Sequence, residues 1–151
     1  MKRALITCVL PLIFLASTAA KPSATSDAAG PIVTVYKDPS CGCCKKWVEY
    51  LRKNGYRVDV RDTQQIDDVK KNLGVPTALV SCHTAVINGY IIEGHVPVED
   101  IARLLKAKPK LAGLAAPGMP PGSPGMEGPP PAHYQVVAFT RSGKTTVYAN
   151  H

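Results

Sequence analysis

Cys41-Gly42-Cys43-Cys44 puts three thiols within four residues, and a fourth, Cys82, stands beside His83. Cys41 and Cys44 have the C-x-x-C spacing, which can close a small disulfide ring or grip one metal ion. Cys43 adds a third sulfur in the same turn, more than simple disulfide exchange needs and hard to justify by packing alone. Backbone N–H groups left unpaired at the start of a helix favour thiolates there. Thiolates gathered in one turn are soft donors, suited to Cu(I) or to Zn(II). The alternative chemistry is thiol-disulfide exchange, with Cys41 attacking as thiolate and Cys44 resolving the mixed disulfide.

The elements that must position these residues are legible on either side. Ile32 to Tyr36 is rich in β-branched residues and predicts a strand, and Asp38-Pro39-Ser40 then turns the chain. Cys44, Trp47, Val48 and Leu51 recur at helical spacing, predicting a helix from Cys43 to Lys53 stopped by Asn54-Gly55. Tyr56 to Val60 alternates as a second strand, and Thr63 is expected to cap a helix with Ile66, Val69 and Leu73 on one face, ending at Gly74. Asn88-Gly89 between Thr84–Ile87 and Tyr90–Ile92 is a tight hairpin signal, because both turn positions need positive φ. Pro97 is expected to open a third helix carrying Val98, Ile101, Leu104 and Leu105. The order β-α-β-α-β-β-α implies an α/β fold, one mixed sheet with helices on its faces. Beyond Lys110 the chain turns rich in Gly and Pro, with Met119 and Met126 between them, and closes on a hairpin around Arg141-Ser142-Gly143-Lys144.

Compartment decides what the thiols meet. Met1-Lys2-Arg3, the apolar run Ala4 to Ala16 and the small residues Ser17 to Ala20 have the form of a secretory signal peptide, cleaved after Ala20. The run is short of the roughly 20 residues a membrane span needs, so no stable membrane anchor is expected. Cys8, one of five cysteines, would leave with that segment, so that four remain. The formal net charge of +7 loses two with Lys2 and Arg3, and the remaining lysines are dispersed among few aromatics. That pattern is a solvated surface, and no nucleic-acid partner is expected. The organisation is a signal peptide (1–20), a flexible leader (21–31), a metal-binding domain (32–110), and a Gly/Pro/Met loop with a C-terminal hairpin packed on it (111–151).

The stretch Ile32 to Ala107 resembles thioredoxin-like proteins, with a strand, a C-x-x-C at the first helix and a late hairpin followed by a helix. Glutaredoxins carry a Val-Pro pair just before that hairpin, its cis proline facing the cysteines. Aligned on Asn88-Gly89, Cys82-His83 takes its place, and the resemblance implies that Cys82 sits beside Cys41 and Cys44. Val75-Pro76-Thr77, the other candidate, would leave an insertion before the hairpin.

The mature chain also resembles a narrower family, the CopG-like periplasmic metal-binding proteins of bacterial copper-resistance clusters. The resemblance rests on Cys41-Gly42-Cys43-Cys44, Ser81-Cys82-His83-Thr84, Glu93-Gly94-His95-Val96-Pro97, and Gly118-Met119-Pro120 followed by Gly122-Ser123-Pro124-Gly125-Met126-Glu127. It implies a thioredoxin-like fold holding copper at the cysteines in the periplasm, with other periplasmic copper-handling proteins as exchange partners. The expected ligand set is Cys41, Cys43, Cys44, Cys82, His83, Met119 and Met126, holding Cu(I), with zinc the alternative ion. The thioethers suit Cu(I) better than Zn(II), although each methionine also serves to anchor the loop. His95 is a further candidate from the end of the hairpin. His133 and His151 have no partner pattern.

Overall fold

The computed structural model describes residues 30–128 and 132–151. The expected signal peptide, most of the leader and part of the proline run lie outside these residues. The elements in chain order are β1 (Ile32–Lys37), α1 (Gly42–Lys53), β2 (Arg57–Asp62), α2 (Ile66–Leu73), a 3-10 turn (Thr77–Leu79), β3 (His83–Ile87), β4 (Tyr90–Gly94), α3 (Val98–Ala107), β5 (Gly113–Ala116), β6 (Gln135–Phe139) and β7 (Thr145–Asn150). The strands form one seven-stranded mixed sheet in the order β2-β1-β3-β4-β5-β6-β7. β1 and β2 are parallel, as are β4 and β5, and the other neighbours are antiparallel. The expected α/β architecture with flanking helices is the one observed.

Alternation along each strand builds two cores. Ala85, Ile87, Ile92, Leu114 and Val136 face Trp47, Val48 and Leu51 of α1 and Ile101 and Leu104 of α3. Ile91, Ala115 and Phe139 face the other way, against Leu73, Val75 and Leu79 from the end of α2 and the turn after it. Trp47 and Leu51 are fully buried, so the apolar stripe that begins at Cys44 fixes α1 to the sheet with its first turn at the sheet's end.

Three local expectations change. Thr63 does not cap α2: its Oγ1 accepts from the Gln65 N–H at 3.0 Å, which makes a turn two residues before the helix, and Gln65 holds the cap position without a side-chain bond. Pro97 sits at the cap of α3 in extended backbone, and the helix starts at Val98. β5 was expected to be loop. Gly113-Leu114-Ala115-Ala116 has little intrinsic strand preference, yet β4 and β6 offer it ladders on both sides, and that tertiary pairing decides. At Gly113 a Cβ would fall 1.9 Å from the Ile91 carbonyl oxygen, so the close approach of β5 to β4 requires glycine. The ladder therefore runs on past residue 110, and the C-terminal hairpin lengthens the sheet edgewise.

Candidate metal centre

Four elements deliver the site. The start of α1 carries Cys41, Cys43 and Cys44, and Cys41 is its N-cap, with Sγ accepting from the Cys44 N–H at 3.3 Å. The bend before β3 carries Cys82, β3 opens on His83, and His95 follows β4. The loop after β5 passes over them with Met119.

Cys41 and Cys44 are joined as a disulfide, while Cys43 and Cys82 are free. Cys43 Sγ lies 3.5 Å from Cys41 Sγ, 3.7 Å from Cys82 Sγ and 4.0 Å from Met119 Sδ. The donor atoms of Cys41, Cys43, Cys44 and Cys82 all lie within 4.8 Å of one another. The neighbourhood expected for Cys82 is the one observed, whereas Val75 packs in the second core and Thr77 begins the 3-10 turn. The register follows from the hairpin: Asn88 and Gly89 have φ of 48° and 82°, as a two-residue turn requires, and counting back along β3 brings Cys82 to the sheet's end.

A second set shares Cys82. Cys82, His83 and His95 also lie within 4.8 Å of one another, with Cys82 Sγ 3.1 Å from His95 Nε2 and 3.3 Å from His83 Nδ1. His95 Nδ1 is 2.7 Å from the Pro124 carbonyl, which can only accept, so Nδ1 carries the proton and Nε2 presents its lone pair to Cys82. His83 is fully buried, its ring 4.4 Å from that of Trp47 and 5.0 Å from that of His95, centroid to centroid. Met119 is half exposed at the mouth. Met126 is half-buried, its N–H donating to Ser123 and its carbonyl accepting from Gly122, so its backbone shapes the loop. His133 is exposed, and His151 Nε2 lies 2.8 Å from Asp100 Oδ2, away from the cysteines.

Beneath this set lies a polar network that residue types did not reveal. Glu93 Oε1 accepts from Lys70 Nζ at 2.6 Å and from the Ser81 N–H at 2.7 Å, and Oε2 accepts from Thr84 Oγ1 at 2.6 Å. Lys70 Nζ also donates to Thr84 Oγ1. One buried carboxylate thus ties down both ends of Ser81-Cys82-His83-Thr84. On the other side, Ser81 Oγ donates to the Gly118 carbonyl and the Gly118 N–H to that of Val80, which docks the Met119 loop. Gly94 has φ +71°, and a Cβ there would meet Ser81 at 2.5 Å, so the approach of β4 to this bend requires glycine.

Burial sets the electrostatics. It pushes the Cys82 thiol up to about 12, with the neighbouring Cys43 adding to the rise, so Cys82 holds its proton at neutral pH until a metal displaces it. Burial holds the His83 imidazole well below the usual 6.5, and burial lowers His95 as well, so both rings are neutral and able to ligate. The consequence for stability has a definite sign. The unfolded imidazoles take protons from about pH 6.5 downward while the folded ones resist, so this contribution is intact above 6.5 and is lost as pH falls toward the folded values. The urea midpoint of the metal-free protein should fall between about pH 7 and pH 5, and His83→Leu should flatten that slope. Glu93, raised chiefly by burial, acts in the opposite sense, and the comparison with His83→Leu isolates the histidine.

His95 is one candidate among several in the sequence, and its carbonyl partner is not legible there, since a backbone oxygen of a Gly/Pro loop has no residue-type signature. No curated protein matches the chain. A family model described as a protein of unknown function, DUF411, matches residues 79–126, which include Cys82, His83, His95, Met119 and Met126. Among solved structures the chain is similar to two forms of copper resistance protein CopG, Form 2 with a TM-score of 0.77 and Form 1 with 0.76. Each is 46% identical over 81% of this chain and 98% of the other, and this protein accordingly belongs to the CopG copper resistance family.

Proposed function

We propose that this protein binds Cu(I) in the periplasm through Cys41, Cys43, Cys44 and Cys82, as a multinuclear cluster, and so contributes to copper tolerance. The observation that carries the reading is the convergence of four cysteine sulfurs within 4.8 Å at one helix start, more thiolates than one Cu(I) ion needs. Reduction of the Cys41–Cys44 disulfide makes all four available. Met119 adds a thioether at the mouth, favouring copper over zinc. The N-terminal segment supports export, and among the described residues no helix is long and apolar enough to cross a membrane. Anaerobic reconstitution of the reduced protein should leave more than one Cu(I) per chain against a strong Cu(I) chelator. Retention below one copper per chain overturns the reading.

The disulfide itself, 3.5 Å from the free Cys43 sulfur, favours a redox role as second reading. Two Cu(II) ions each take one electron from the Cys41/Cys44 dithiolate, the S–S bond forms, and two Cu(I) ions remain for the free thiols. Anaerobic Cu(II) added to the reduced protein then yields two Cu(I) per disulfide formed. Exchange with protein disulfides is the form this chemistry takes without copper, and insulin reduction no faster than by free thiol removes it. The structural-zinc alternative has less support, because two apolar cores built from all seven strands and three helices hold the fold away from the cysteines.

A further inference from the structure

We propose that the end of the molecule remote from the cysteines is a docking surface for a bilayer displaying anionic phospholipid headgroups, so that the cysteines face away from the membrane. The sheet separates the two ends. Lys37 closes β1 opposite His83 at the cysteine end, whereas Ile32 opens β1 opposite Arg57, and the hairpin between β3 and β4 turns at that same far end. α1 and α3 both start beside the site and run away from it. They therefore end where β2 begins, where β5 starts between Ile91 and Phe139, and where β6 turns into β7.

Basic residues that are dispersed along the sequence gather at this end. Arg52 and Lys53 end α1, Lys106 lies in the last turn of α3, and Lys108 and Lys110 follow it. Arg57 opens β2, and Arg141 and Lys144 sit in the turn between β6 and β7. All are exposed and none has an ion-pair partner among the described residues, whereas Lys37, Arg61, Lys70 and Arg103 elsewhere are each paired with a carboxylate. No carboxylate among the described residues stands at this end. Glu49 is midway along α1, and Asp59 is level with Thr34 in the middle of β1 and bound to Arg61. The cations on the two helices complement helix C-termini, but Arg57, Lys110, Arg141 and Lys144 belong to no helix.

Their layout selects the partner. From β2 at one edge to β7 at the other, the charges span the width of a seven-stranded sheet, about 29 Å. That is too broad for one bound anion. A protein partner would need an apolar centre to its interface, and the only large exposed apolar side chain at this end among the described residues is Ile32, 52% exposed. A plane of phosphate headgroups meets the whole spread at once, and basic clusters of this size hold proteins to anionic leaflets without a membrane-spanning helix.

The exported chain, after loss of residues 1–20, should sediment with vesicles of equal parts phosphatidylglycerol and phosphatidylcholine at about 0.02 M salt, leave them at about 0.5 M, and ignore vesicles of phosphatidylcholine alone. Arg57→Gln, Lys110→Gln and Lys144→Gln together should weaken partition roughly 100-fold, at about 5-fold per charge near the surface. Lys45→Gln, Lys46→Gln and Arg61→Gln remove the same net charge at the cysteine end of α1 and β2, and should weaken it less than about 5-fold. All these positions are exposed, and circular dichroism of both triple variants establishes that they are folded. Equal losses in the two triples, or binding to neutral vesicles as tight as to anionic ones, overturns the proposal. Failure to bind anionic vesicles overturns it too, and retention on immobilised polyglutamate in that case assigns this end to an acidic protein.

Discussion

Cys82→Ser should lower Cu(I) affinity by more than about 100-fold and bring copper retained against a chelator below one ion per chain. Loss of groups that merely orient a metal ligand costs about 10–100-fold, and Cys82 is proposed as a ligand itself. It is also the one residue common to both donor groups, 3.7 Å from Cys43 Sγ on one side and 3.1 Å from His95 Nε2 on the other. Serine at Cys43 leaves Cys82 to join the remaining sulfurs to the histidines. Serine at Cys82 leaves three cysteines in one helical turn and strands both imidazoles. The hydroxyl is a hard, neutral oxygen that matches copper poorly, yet it is close to the thiol in size and can donate to His95 Nε2. Melting of the metal-free protein should therefore change little. Copper per chain by metal analysis, beside a thermal melt, checks both halves, and full retention of copper would remove Cys82 from the ligand set.

The second large effect concerns stability. Lys70→Met should destabilise the fold by about 3–5 kcal/mol, because it leaves the Glu93 carboxylate buried without its cation. Lys70→Met combined with Glu93→Gln should recover most of that loss, since the amide oxygen still accepts from the Ser81 N–H and no charge stays buried. Urea unfolding of the two singles and the double closes the cycle. Additive losses would mean that the pair is not coupled, contrary to a separation of 2.6 Å between two groups shut away from water. The single variant should also bind copper less well than the double, because Glu93 holds the bend that presents Cys82.

How far the sequence reaches is seen in particular residues. Cys82 could be assigned to the site because the resemblance to glutaredoxins, aligned on the Asn88-Gly89 turn, puts it where their cis proline faces the cysteines. α1 was legible because Trp47, Val48 and Leu51 continue the stripe that Cys44 starts. Lys70 was not, since a lysine among the charged residues of α2 reads as solvated, and only the fold brings Glu93 beneath it. β5 was hidden by its composition, being made a strand by its neighbours. The state of Cys41 and Cys44 is absent from the sequence altogether, since the same spacing serves a disulfide and a metal, and electrons rather than residues choose between them.

The unbroken ladder from β4 through β5 to β7 changes what the last forty residues are. Cutting the chain at Lys110 would turn β4 from an interior strand into a raw margin, its outward N–H and C=O groups unpaired beside Ile91 and Ile92. Such margins recruit strands from other molecules, which is the route to aggregation. The same cut would carry off Pro124 and Met119. In this protein, the segment whose composition looks most dispensable both guards the sheet against its own kind and brings Met119 over the cysteines.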